Sequence, residues 1–176
     1  MAPPFTDAQR LAWLRLWRSE NVGPVTFRQL LRRFGSAEAA LDALPELARR
    51  GGRVRPLAIC PAAAAERELA ELARLGGQLV VMADPAFPAL LAEADDAPPL
   101  LLTLGKTELL AARTVAMVGA RNASANGRLL AETMARELGQ QGWVVVSGLA
   151  RGIDSAGHRG ALPSGTITKL ASDGTT

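Results

Sequence analysis

The chain has 176 residues, 48% of them hydrophobic, and a formal net charge of +3. Such a length and apolar content suit a real core divided between two small domains, and the single cysteine, Cys60, excludes a disulfide within the chain. The start, MAPPFTDAQR, has no basic stretch followed by an apolar one and no later apolar run reaches membrane-spanning length, so a cytoplasmic protein is expected.

Charge is spread unevenly. Residues 1–56 carry ten arginines against five acidic groups, residues 57–112 three bases against eight acids, and residues 113–160 six arginines against three acids. An arginine excess of this kind is either a set of solvated helix faces or a binding surface, and the count alone does not choose between them.

Residues 7–50 read as a compact helical domain. Leu11, Leu14 and Trp17, widened by Trp13 and Leu16, form the apolar stripe of a first helix ending near Asn21. Gly23-Pro24 makes a tight turn with Pro24 at the first helical position. Phe27, Leu30, Leu31 and Phe34 then recur at i, i+3, i+4 and i+7, Gly35 closes the second helix, and Ser36 caps a third that runs through Leu44. Two helices around a Val-Gly-Pro turn suggest a helix-hairpin-helix, which can offer backbone N–H groups to a DNA phosphate with Arg28, Arg32 and Arg33 nearby. A purely structural or protein-binding helical domain fits the same pattern.

Gly51-Gly52 and Pro56 mark a linker, giving domains at 1–56 and 57–176. Pro61 opens a helix to about Leu75, ended by Gly76-Gly77, and the strand Leu79 to Met82 follows. A proline-rich segment, Asp84 to Leu91, leads to a short helix, and Pro98-Pro99 introduces a strand from Leu100 to Leu104. These strands are expected to extend the sheet of the second domain as scaffolding.

The stretch from Thr114 to Leu162 is a βαβα unit. Val115 to Val118 form an unbroken apolar run, as in a strand buried on both faces of a parallel sheet, and Trp143 to Val146 form another. Between them Gly127, Leu130, Ala131, Met134 and Leu138 define a helix face to lie on the sheet, with Gly139 and Gly142 as its stop. Parallel strands joined by one crossover place both carboxyl ends on the same edge, where open α/β sheets bind ligands.

The two turns at that edge are Gly119-Ala120-Arg121-Asn122-Ala123-Ser124 and Ser147-Gly148-Leu149-Ala150-Arg151-Gly152-Ile153-Asp154. Each brings small residues that bare backbone N–H groups, a hydroxyl and an arginine, and each is followed by the positive end of a helix. That is a site for phosphate. The same glycines also serve positive φ or close packing, Ser124 or Asn126 can cap the helix after them, and Asp154 can cap its successor. Asp154 and His158 share a helix face, but one histidine without a cysteine partner makes a poor metal site. No GxGxxG fingerprint, no acidic ribose partner and no GxxxxGK[ST] loop occurs, and no nucleophile with a defined base is seen.

VGARNASANG followed by SGLARGIDSAGHRGAL resembles the signature of the DprA (Smf) family of DNA-processing proteins in natural transformation. The resemblance implies a helical, sterile-alpha-motif-like domain and then an extended Rossmann domain, so the fold expected is α/β with an all-helical start. It implies a non-enzymatic protein without cofactor or metal that binds single-stranded DNA, protects it on entry and loads the RecA recombinase on it. The full-length family member is expected to be a homodimer with no membrane contact.

The family's GxR turn matches Arg121 and assigns it to the phosphate pocket, with Ser124 and Gly127 beside it. The candidate DNA-binding set is therefore Gly119, Arg121, Ser124, Gly127, Ser147, Gly148, Arg151 and Gly152. Asn126 stands where family members often carry an aromatic residue, so a stacking surface is missing there. The family fold continues past Leu162 through more strands and helices, so the chain is expected to span the N-terminal domain and about the first half of the Rossmann domain. Two other readings stay open. One is a Rossmann-like nucleotide hydrolase, whose PGGxGTxxE motif is echoed only by Pro163-Ser164-Gly165-Thr166 with no glutamate following, and the other is an interaction scaffold.

Overall fold

The structure is a computed structural model that describes residues 5–50, 55 and 57–169. The linker expected at Gly51-Gly52 and Pro56 lies outside the described residues. The chain divides into two compact units, Met1–Thr107 and Glu108–Thr176. The boundary read from the sequence at residue 56 is thus not where the packing divides.

The first unit opens with α1 (Asp7–Trp17), α2 (Pro24–Phe34) and α3 (Ala37–Arg50). Thr6 and Gln9 form a reciprocal capping box on α1, each satisfying the other's backbone N–H. Pro24 starts α2, and Gly35 ends it at φ 80°, a left-handed conformation that glycine adopts without strain. Helix α3 runs six residues beyond the expected end at Leu44, through Pro45. The proline removes only one ladder bond, while the extra turn lets Leu47 pack on the core.

Helix α4 (Ala62–Arg74), strand β1 (Gly77–Val81), the single turn α5 (Ala89–Ala92) and strand β2 (Leu100–Leu104) complete this unit. The two strands do not extend the parallel sheet. They pair antiparallel with each other, Leu79 opposite Leu102, as a separate two-stranded sheet. The reason lies in the core: Leu72, Leu79, Val81 and Leu100 belong to the same buried cluster as Leu14, Leu16, Phe27 and Leu41 from the helices. Trp13 and Trp17 meet Phe27 edge-on at 5.1 and 6.4 Å, and Phe27 is fully buried.

A bidentate ion pair fastens α1 to the β1 end. Arg10 donates to both Asp84 oxygens at 2.6 and 2.8 Å and to the Leu79 carbonyl, and the Val81 N–H also donates to Asp84. Burial alone would raise the Asp84 pKa, but the Arg10 and Val81 hydrogen bonds and the Arg10 charge outweigh it and hold the carboxyl below its ordinary value.

A 3₁₀ turn (Thr107–Ala111) crosses from the first unit into the second, which holds β3 (Thr114–Ala116), α6 (Ala125–Gln140), β4 (Val144–Ser147), α7 (Ile153–Ala161) and β5 (Thr166–Thr168). The strands form one all-parallel sheet in the order β3-β4-β5, with Val115 opposite Val145 and Val146 opposite Ile167. This is the expected α/β fold. One expectation about α6 is corrected. Leu130 and Met134 are exposed, and the buried residues are Ala131, Ala135 and Gly139. Helices α6 and α7 approach so closely that a methyl group on Gly160 would strike the Glu132 carbonyl, so only small residues fit that seam. Nor does Gly139 stop the helix: it is buried against Ser164, and the turn is made by Gly142 at φ 81°.

Candidate nucleic-acid interface

The parallel pairing of β3 and β4 brings their carboxyl ends side by side, and the backbone locks the two following turns together. The Met117 N–H donates to the Val146 carbonyl at 2.9 Å, the Ser147 hydroxyl to the Met117 carbonyl at 2.6 Å, and the Ile153 N–H to the Ala120 carbonyl at 3.3 Å. Two glycines allow the approach. A methyl on Gly119 would sit 2.6 Å from an Ile153 side-chain carbon. Gly152, at φ 93° and ψ −125°, packs directly under the Ala120 and Arg121 carbonyls, where a side chain would collide with the main chain.

The eight candidate residues fall into two groups. Arg121 and Arg151 are exposed, have no hydrogen-bond or ion-pair partner among the described residues, and line an open depression of about 670 Å³ with Gly148, Leu149, Ala150 and Asp154. The others shape the site. Ser124 is the N-cap of α6, its hydroxyl accepting from the Gly127 N–H at 3.1 Å. Ser147 is buried with its hydroxyl committed to Met117, and Gly119 and Gly152 seat the two turns against each other.

Helix α7 holds the second turn from below. Ser155 donates to the Ala150 carbonyl at 2.6 Å, and His158 Nε2 faces the Gly148 carbonyl at 2.7 Å. A carbonyl only accepts, so Nε2 carries the proton in that bond, while Nδ1 meets Thr166 Oγ1 at 2.8 Å. His158 is thus a strut and not a partner of Asp154. Asp154 is not the cap of α7 either, since Gly152 holds that position, and its carboxylate instead lines the depression. Sequence spacing pointed to the Asp154 and His158 pair but had no signal for this separation of roles.

In the first unit, Arg28 is not free to assist at the Gly23-Pro24 turn. Its guanidinium donates to the Asp95 and Ala94 carbonyls at 2.6 and 2.7 Å. Arg32 and Arg33 are exposed, and Arg33 lies over the Phe34 ring at 5.3 Å. Among the described residues no group of three or more histidine, cysteine or acidic side chains is placed to hold a metal, and no helix is long and apolar enough to cross a membrane.

A helical domain followed by a parallel α/β sheet, with two glycine turns at its carboxyl edge and two arginines there that have no partner among the described residues, defines a protein of the Rossmann-like α/β class. Residues 7–70 match the DprA-like N-terminal HHH domain, and residues 78–175 match the family described as DNA recombination-mediator protein A. The chain belongs to this DprA/Smf family. It is 35% identical over 181 residues to the putative DNA processing protein DprA of Mycobacterium tuberculosis, covering 92% of this chain and 45% of the relative. It is 43% identical over 85 residues to the DNA processing protein DprA of Streptococcus pneumoniae, covering 48% of this chain and 30% of the relative. The X-ray structure of DNA processing protein A from S. pneumoniae superposes with a TM-score of 0.54 at 26% identity, covering 85% of this chain and 57% of that one. The chain therefore spans less than half the length of these two curated relatives.

Proposed function

We propose that the edge formed by the turns after β3 and β4 binds the backbone of single-stranded DNA, with Arg121 and Arg151 as the phosphate contacts. Gly119, Ser124, Gly127, Ser147, Gly148 and Gly152 hold those turns in place. The observation that carries the proposal is the pair of exposed arginines, without partners among the described residues, on a rigidly seated glycine edge. A cation in that position adds little to packing and much to the local potential. Membership of a family described as recombination mediators supports DNA as the polyanion. In the whole protein this edge would serve to protect incoming DNA and to load the RecA recombinase during natural transformation in the cytoplasm, as a homodimer and without catalytic chemistry of its own.

The test is a binding titration against single strands of increasing length, duplex DNA and a mononucleotide. Affinity for single strands should grow with length until the basic edge is filled and should fall steeply with salt through counterion release. A mononucleotide should bind weakly and stay intact. Tight, length-independent binding and cleavage of a mononucleotide would instead establish the hydrolase reading.

A further inference from the structure

The floor of the same depression holds a group that phosphate binding does not use. Asp154 is only 7% exposed, yet its carboxylate has no hydrogen-bond partner among the described residues. Its neighbours on α7 are both committed, Ser155 to the Ala150 carbonyl and His158 to the Gly148 carbonyl. No fully buried side-chain oxygen or nitrogen among the described residues lacks a partner, so the Asp154 oxygens open onto the depression that this residue lines with Arg121 and Arg151. One of them lies so near Gly148 that a methyl there would come within 2.8 Å.

A largely buried carboxylate without a donor is costly to keep, and its place in the first turn of α7 offsets only part of that. A phosphate cannot repay it, because the two negative charges repel. Phosphates belong on the exposed arginines, and what the floor lacks is a hydrogen-bond donor. A strand whose phosphates rest on Arg121 and Arg151 can bring a base edge there, with the exposed, apolar Leu149 against the base. Two carboxylate oxygens match two parallel donors, which guanine supplies with its N1–H and its 2-amino group. Adenine and cytosine set an acceptor nitrogen beside their amino group, and thymine flanks its one N–H with two carbonyls.

We propose that Asp154 is a base-edge acceptor that gives this site a preference for guanine in single-stranded DNA. The proposal rests on the reading of the two turns as a single-strand site. The two arginines that line the same depression disfavour a bound cation, the other group a carboxylate can hold against a phosphate.

The experiment measures, by fluorescence anisotropy with the full chain, the affinity of an oligothymidylate of about 12 nucleotides. It is compared with the same strand carrying one central guanine, one inosine or one adenine. The guanine strand should bind about tenfold tighter than the all-thymine strand. Inosine, which lacks the 2-amino group, should fall between them, and adenine should match thymine. Asp154→Asn should erase the guanine advantage, so that guanine and thymine strands bind the variant alike. The base substitutions need no variant, so a poorly folded Asp154→Asn protein leaves the test intact. Equal binding of guanine and thymine strands, both weakened by Arg121→Ala, would overturn the role of Asp154 and leave the single-strand site standing. A guanine preference that survives Asp154→Asn, or that disappears with a chelator, would also overturn it. Failure to bind any strand would refute the underlying site itself.

Discussion

Replacing Gly152 with alanine should uncouple the two turns on which the site depends. Its φ of 93° and ψ of −125° lie in a region reserved for glycine, which for an L-residue costs about 1–3 kcal/mol. The new methyl would also meet the Ala120 carbonyl oxygen and lie 2.7 Å from the Arg121 carbonyl oxygen. Both are main-chain atoms that cannot rotate away, so the 120–121 segment itself must shift, carrying Arg121 with it. Gly142→Ala is the control: its φ is 81°, but a methyl there meets nothing within 4 Å. Conformational strain alone should cost that variant about 1–2 kcal/mol. Adding the main-chain collision, Gly152→Ala should lose about 3 kcal/mol or more, lowering the melting temperature of the second unit by roughly 12 °C or more. Thermal unfolding followed by circular dichroism measures this, and single-strand affinity is then compared at a temperature where both variants are folded. Equal melting temperatures for the two variants, or undiminished binding by Gly152→Ala, would refute the idea that this close approach positions the site.

Phe27→Ala, which empties a fully buried position between Trp13 and Trp17, should destabilise the first unit by about 3–5 kcal/mol in denaturant titrations. The Arg10 and Asp84 pair should make stability pH-dependent at the acid end. Because the folded Asp84 pKa is depressed, its contribution is complete above the unfolded value near about 3.9 and is lost as the pH falls through the lower, folded one. Urea midpoints measured between neutral and strongly acidic pH should therefore fall less in Asp84→Asn than in the unaltered chain. Residues 1–56 alone should be helical but marginal by circular dichroism at low temperature. A fragment of residues 1–107, which adds Leu72, Leu79, Val81 and Leu100 to the same core, should melt higher, and a random-coil spectrum for the shorter fragment would show that the helices require the strands.

Local chemistry in the sequence located most elements, because local chemistry made them. Pro24 and Gly35 bound α2, the apolar run after Pro98-Pro99 is β2 itself, and the glycine turns after the two apolar runs of the βαβα unit are neighbours as parallel pairing requires. What stayed hidden depends on contacts distant in sequence. An apolar run does not say which strand it will pair with, and β1 and β2 pair with each other and not with the parallel sheet. Apolar periodicity favours large residues for the inward face of α6, whereas the close packing of α7 admits only Ala131, Ala135 and Gly139 there. The spacing of Arg28 beside the Gly23-Pro24 turn carries no sign that the Ala94 and Asp95 carbonyls, more than 60 residues away, engage its guanidinium. In the site, the arginines and glycines were legible from motif and turn. The isolation of Asp154 was not, since it arises from the separate engagements of Ser155 and His158.

The most direct measurement of the central claim is the salt dependence of single-strand binding by the unaltered chain and by Arg121→Ala. Arg121 is exposed and has no partner among the described residues, so its removal should leave the fold intact and delete one phosphate contact. The account predicts that affinity for thymine and guanine strands weakens by the same factor and that the log–log salt slope becomes shallower by about 0.7. A folded Arg121→Ala protein with an unchanged slope would contradict it.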